Sequence, residues 1–246
     1  MLGIMAVQTI AVRPAATATG LRPEPADLVT AAVEFLLTTA FMATVFGLVR
    51  WGIGTAAADA GPVELRLRVA VVSLAVGLVI VGFIVSGPGR FSGAHMNPAI
   101  TLASFAAGRT PARRVLPYLV AQSAGSIAAA VLSRAAWGPA ATSAVVQPAP
   151  GWSAGGVALV EAAVLAVIAA VMCRATTPYL PWIMGGLFGL QGAILGTVTG
   201  GSANPARQLG PALLAGDHRL LAVYLIAPIV GAVLAARLTR RRSEPA

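Results

Sequence analysis

Four stretches of this chain carry no charged side chain over lengths that suit a lipid bilayer. Val69–Gly89 runs for 21 residues, Val115–Ser133 for 19, Ala175–Ala206 for 32 and Leu220–Ala236 for 17. A hydrocarbon core of ~30 Å is crossed by about 20 apolar residues in helical form. Two further stretches, roughly Leu28–Val49 and Ser153–Cys173, are as apolar but hold one carboxylate each, Glu34 and Glu161. The whole chain is 57% hydrophobic and 10% charged, too little polar side chain to cover a soluble body of 246 residues. An integral membrane protein with six spans follows.

All 17 basic residues are arginine, and they lie between the spans rather than in one patch. Six spans put both termini on one side. With the N-terminus inside, the cytoplasmic set is Arg13, Arg22, Arg90, Arg109, Arg113, Arg114, Arg174, Arg237 and Arg240–Arg242, against Arg50, Arg66, Arg68, Arg134 and Arg219 outside. The bias predicts both termini on the cytoplasmic side of an inner or plasma membrane. The net charge of +9 then marks topology, and no nucleic-acid partner is expected. Residues 1–26 lack an apolar core of secretory type and read as a tail, as do the basic residues 239–246.

The remainder, 27–238, reads as a single domain that repeats itself. Tyr118–Leu132 (YLVAQSAGSIAAAVL) matches Tyr224–Leu238 (YLIAPIVGAVLAARL) at seven of fifteen positions, and each half opens on a span with one acid. The halves are about 28–137 and 153–238, joined by a loop at about 138–152. Each holds three spans, an odd number, so the second crosses the bilayer in the opposite sense. An inverted repeat of this kind places its working site near the midplane, between the halves.

Both halves also contain Asn-Pro-Ala: Asn97-Pro98-Ala99 within SGAHMNPAIT, and Asn204-Pro205-Ala206 within TGGSANPAR. Proline at a first helical position and asparagine before it are a favoured helix start. The segments that follow, Asn97–Gly108 and Asn204–Gly216, are too short to span, so each reads as a re-entrant half-helix. Two half-helices from opposite faces bring their N-termini together at mid-bilayer, each worth about half a positive charge. Cations are repelled there, while the two asparagine amides can donate to a passing neutral oxygen.

These residues, with the acid of each half and APIVGA at Ala227, resemble the major intrinsic protein family, the aquaporins and aquaglyceroporins, over about Ala32–Leu238. The resemblance implies an all-α membrane protein with an aquaporin-like fold, six transmembrane helices plus two re-entrant half-helices in an inverted 3+3 repeat. It implies a passive channel and not an enzyme, with water or small neutral solutes passing through each subunit of a homotetramer embedded in lipid, and no cofactor or metal. By the same resemblance Glu34, Glu161 and His95 brace the pore loops. Arg207, three residues after Asn204, guards the outer mouth with Gly201, Gly192 and a second-span residue. That last position falls on Val76 or Gly77, because Gly87–Arg90 looks like a one-residue expansion.

Small residues where water-selective members narrow predict a wide mouth passing glycerol, urea or metalloid acids. Three positions depart from the glycerol-conducting pattern. Gln208 stands where those members carry an acid, Ala212 where they tend to carry a base, and Tyr224-Leu225 fits neither subclass. The rival reading is a secondary transporter with inverted repeats, which needs an intramembrane acid free for ion coupling.

Overall fold

The computed structural model describes residues 21–54, 61–139 and 144–240. The first twenty residues of the expected N-terminal tail, four of the connecting loop and the C-terminal residues from Arg241 onward lie outside the described residues. Among the described residues the regular structure is helical: α1 (Pro25–Gly52), α2 (Pro62–Val85), α3 (Gly87–Ser92), α4 (Pro98–Ala106), α5 (Ala112–Trp137), α6 (Ala154–Arg174), α7 (Leu180–Leu195), α8 (Pro205–Ala215) and α9 (Leu221–Thr239). Five of these, α1, α2, α5, α6 and α9, are long and apolar enough to cross a membrane. The sixth span, α7, has 16 residues, or about 24 Å at 1.5 Å per residue. It ends early because the amides of Val198, Thr199 and Gly200 all turn back onto the Leu195 carbonyl.

The spans are apolar outside, and the interior adds buried polar side chains to its apolar core. Leu36, Leu67, Val71, Leu78, Val120, Leu159, Val167, Ile194 and Leu234 are exposed, whereas Glu34, Gln122, Ser126, Glu161 and Gln208 are almost completely buried. That arrangement suits a surface bathed in hydrocarbon and an interior that must satisfy its own polar groups.

Packing follows the repeat. The helix α1 lies along α5 as α6 lies along α9, α2 lies along α7, and each half-helix is seated mainly by the other half, α4 on α9 and α8 on α5. Glycine sets the closest approaches. A Cβ on Gly125 would sit 2.8 Å from the Phe35 carbonyl oxygen, and one on Gly231 would sit 1.9 Å from that of Ala162. Phe35 and Ala162 directly follow Glu34 and Glu161, so each crossing is tightest where the acid must reach the pore loop. At the third crossing, a Cβ on Gly77 would meet the Gly185 carbonyl at 2.4 Å.

Two local features add to the sequence reading. Residues 87–92, which include the stretch read as a one-residue expansion, form a helical turn, α3, started by Ser86, whose Oγ accepts the Gly89 amide at 3.0 Å. The first turn of α1 is held by a buried carboxylate: Asp27 accepts Arg113 Nε at 2.7 Å and Arg114 Nε at 3.0 Å, tying the start of α1 to that of α5.

Candidate functional site

The two Asn-Pro-Ala segments have nearly the same backbone. Asn97 (φ −156°, ψ 115°) caps α4 and Asn204 (φ −159°, ψ 112°) caps α8. Each side-chain Oδ1 accepts the amide two residues on, Ala99 or Ala206, at 2.9 Å. The stretches before them match as well: φ is +101° at Gly93 and +91° at Gly200, +47° at Ala94 and +53° at Gly201, +46° at Met96 and +50° at Ala203. A left-handed residue other than glycine costs about 1–2 kcal/mol, so Ala94, Met96 and Ala203 need support.

Buried carboxylates and tyrosines supply it. Glu34 Oε1 accepts Ser92 Oγ at 2.7 Å and the His95 amide at 2.9 Å, while Oε2 accepts the Met96 amide at 2.8 Å and Gln122 Nε2 at 2.9 Å. In the second half Glu161 accepts the amides of Ser202 at 3.2 Å and Ala203 at 2.8 Å. The strained residues Met96 and Ala203 are therefore each held by an acid. Tyr118 donates to the Ser92 carbonyl at 2.7 Å and Tyr224 to that of Thr199 at 2.5 Å. His95 Nδ1 pairs with Thr101 Oγ1 at 3.0 Å, inside the first-half network. Pro228, opposite Gln122 in the repeat, has no side-chain donor, and Thr199, opposite Ser92, makes no bond to Glu161, so the second brace has two partners against the first brace's four.

The asparagines tie the halves together. Asn97 Nδ2 donates to the Ala203 carbonyl and Asn204 Nδ2 to the Met96 carbonyl, both at 3.0 Å. A side-chain amide carries two N–H groups, so the bond that fastens the opposite loop uses one N–H of each asparagine and leaves the second outside it.

Beside this junction runs a cavity of about 340 Å³. Along α2 it is lined from Val69 to Ile84, about 22 Å of helix. Its apolar lining comes from Phe41, Val45 and Val49 on α1, Ile53 just after it, and Val72, Val76 and Ile80 on α2; its polar lining includes Asn97, Asn204, Ser202 and Arg207. Pro98, Ala99, Pro205 and Ala206 lie behind it as the buried first turns of the half-helices.

Of the residues expected at the mouth, Arg207, Gly201, Gly192 and Val76 border the cavity together; Gly77 does not, lying instead in the crossing of α2 with α7. Sequence reasoning missed Ser73 and Gln191. Ser73 fills the space in front of Gly192, where a Cβ would fall 2.8 Å from its Oγ, and Gln191 Nε2 donates to the Gly201 carbonyl at 3.1 Å. Arg207 Nη1 donates to the Ala144 carbonyl at 2.7 Å. The aromatic rings lining the cavity are Phe41, His95 and Phe188; none comes from the Gly192, Gly201 or Ser73 positions beside Arg207.

Comparison with known proteins identifies the family and the fold. A family model described as major intrinsic protein matches residues 28–238. The chain is 40% identical over 186 residues to a probable aquaporin, AqpM, of Archaeoglobus fulgidus, covering 68% of this chain and 74% of that protein. It is 34% identical over 206 residues to aquaporin Z of Rhodopseudomonas palustris, covering 77% and 85%. An X-ray structure of the aquaglyceroporin from Plasmodium falciparum aligns with a TM-score of 0.64 over 87% of this chain and 94% of that one, at 17% identity, a likeness of fold.

Proposed function

The chain belongs to the major intrinsic protein family of membrane channels, and from that premise we propose that it passes water and small neutral solutes such as glycerol, urea or metalloid acids while excluding ions and protons. The observation that carries this reading is the mouth. Arg207 borders the lane there with Gly201, Gly192 and Ser73, residues too small to narrow it as a ring would. A lone guanidinium repels cations without blocking a neutral molecule. Deeper in, the N-termini of α4 and α8 add a second positive barrier, and the spare N–H of Asn97 and of Asn204 guides a hydroxyl or water oxygen past it.

An ion-coupled transporter is less well supported. Glu34 and Glu161, the acids of the rival reading, are buried and occupied by loop amides. As in the family generally, we propose a homotetramer with both termini cytoplasmic, to be checked by mass measurement in detergent and by reporter fusions at each end.

The deciding experiment is stopped-flow permeation in proteoliposomes with water, glycerol, urea and arsenite as separate solutes, and with potassium and proton leak measured alongside. Uptake of at least one solute above protein-free liposomes, unsaturable and independent of a proton or sodium gradient, is expected. Fast water flow with every solute at the lipid background would sink the wide-mouth reading, and gradient-dependent uptake would favour a transporter.

A further inference from the structure

The stretch Ala144–Gln147 has no helical period, yet it is built into the mouth. Ala144 and Val146 are 1% and 5% exposed, and Val145, Val146 and Gln147 line the cavity. Two consecutive side chains of α8 hold it. Arg207 takes the Ala144 carbonyl. Gln208, fully buried, pairs both ways with one residue: its Oε1 accepts the Val146 amide at 3.2 Å and its Nε2 donates to the Val146 carbonyl at 3.0 Å.

An amide that meets both main-chain groups of one residue does what a neighbouring strand would do, fixing direction as well as distance. The Val146 side chain is thereby pressed onto Gly200, where a Cβ would fall 2.2 Å from Val146 Cγ1. A carboxylate at position 208 could accept the Val146 amide but would have nothing to donate to its carbonyl. The glutamine that breaks the glycerol-conducting pattern thus has a physical use in this chain.

We propose that Gln208 is a positioning residue for selectivity: by clamping Val146 it fixes the 144–147 strap as one wall of the mouth, and with it the carbonyl that orients Arg207. It touches no solute. The inference rests on the reading of Arg207 as the mouth. Releasing the clamp lets the wall recede, so the largest solute that passes grows while water is little affected.

The test is Gln208→Met, which keeps length and loses both hydrogen bonds, reconstituted beside the unmodified channel. Water, glycerol and erythritol permeability per channel are measured, with hydrogen exchange over residues 144–149. The erythritol-to-glycerol ratio should rise by about threefold or more, the scale of one net hydrogen bond lost from the wall, with water permeability little changed and faster exchange confined to the strap. An unchanged ratio overturns the proposal, and so does a parallel fall in water and both polyols, which a merely structural role would give. If the unmodified channel passes water alone, the solute reading fails by itself, and the Gln208 inference is decided by whether Q208M gains glycerol uptake. Should Q208M not assemble, Gln208→Asn, an amide one methylene shorter, is judged by the same ratio.

Discussion

Replacing Gly231 by alanine should cost far more than one methyl group suggests. Its Cβ would lie 1.9 Å from the Ala162 carbonyl oxygen, where ordinary contact begins at 3.4 Å, so α6 and α9 must separate by about 1.5 Å. That shift carries Glu161 with it, and the 2.8 Å bond from the Ala203 amide cannot survive it. Overpacking at about 1–3 kcal/mol combines with a stranded buried donor at about 1–3 kcal/mol, and left-handed Ala203 loses its support. The matching change Gly125→Ala requires a shift of only about 0.6 Å, from 2.8 Å, and should cost less. Gly186→Ala, which meets nothing within 4 Å, should be neutral or slightly stabilising because alanine favours helix. Thermal unfolding in detergent, followed by size exclusion after heating, ranks the three. At about 2–4 °C per kcal/mol for a chain of this size, G231A should unfold about 10 °C or more below the unmodified protein. A G231A midpoint within about 2 °C of it, or a larger loss in G125A, would refute the idea that these glycines set how the acids reach the loops.

Glu34→Ala should destabilise more than Glu161→Ala, since it strands the His95 and Met96 amides and Gln122 Nε2 against two amides in the second half; at about 1–3 kcal/mol per donor the same melts should separate them, and equal midpoints would count against this accounting. Gly192→His combined with Ser73→Gly, which clears the atoms now 2.8–2.9 Å from the missing Cβ, should lower glycerol flux about tenfold relative to water, a barrier rise of about 1.4 kcal/mol; an unchanged ratio would show that the mouth lies elsewhere. Asp217, which takes the Gln147 side-chain amide, is held below its ordinary value of 3.8 by hydrogen bonds from the Arg219 side chain and then its backbone. A depressed carboxyl is charged in all water above that ordinary value and releases its partners only as pH falls through the lower one. The ratio of solute flux between the unmodified channel and Asp217→Asn should therefore be constant between about pH 5 and 8, and a trend across that window would contradict the assignment.

Much of the centre was legible because its chemistry is written in residue types. A proline-locked amide before a short helix, twice in register, allows few structures, and a lone acid in an apolar span must find donors. The mouth was less legible. Its second-span member was reached by counting back through Gly87–Arg90, a stretch that folds as a turn of helix, α3, and the count left two residues; Val76 borders the cavity and Gly77 does not, while Ser73 lies in front of Gly192. The strap at residues 144–147 was read only as part of a connecting loop, because nothing periodic marks it and the side chains that hold it, Arg207, Gln208 and Asp217, lie sixty or more residues further on. Gln208 was visible as a departure, but its meaning needed the partner it holds.

The crossed bonds at the midplane have a consequence for how the protein is made. Asn97 is completed by a carbonyl 106 residues downstream, and α4 is seated chiefly by α9, which is synthesised later still. As the chain leaves the ribosome, the first half-helix can meet α5 and the brace of Glu34, Tyr118 and Gln122 early. Its larger seat and the bond that completes Asn97 arrive only with the second half, so a ribosome stalled before residue 221 should leave behind an unfinished fold rather than half a pore.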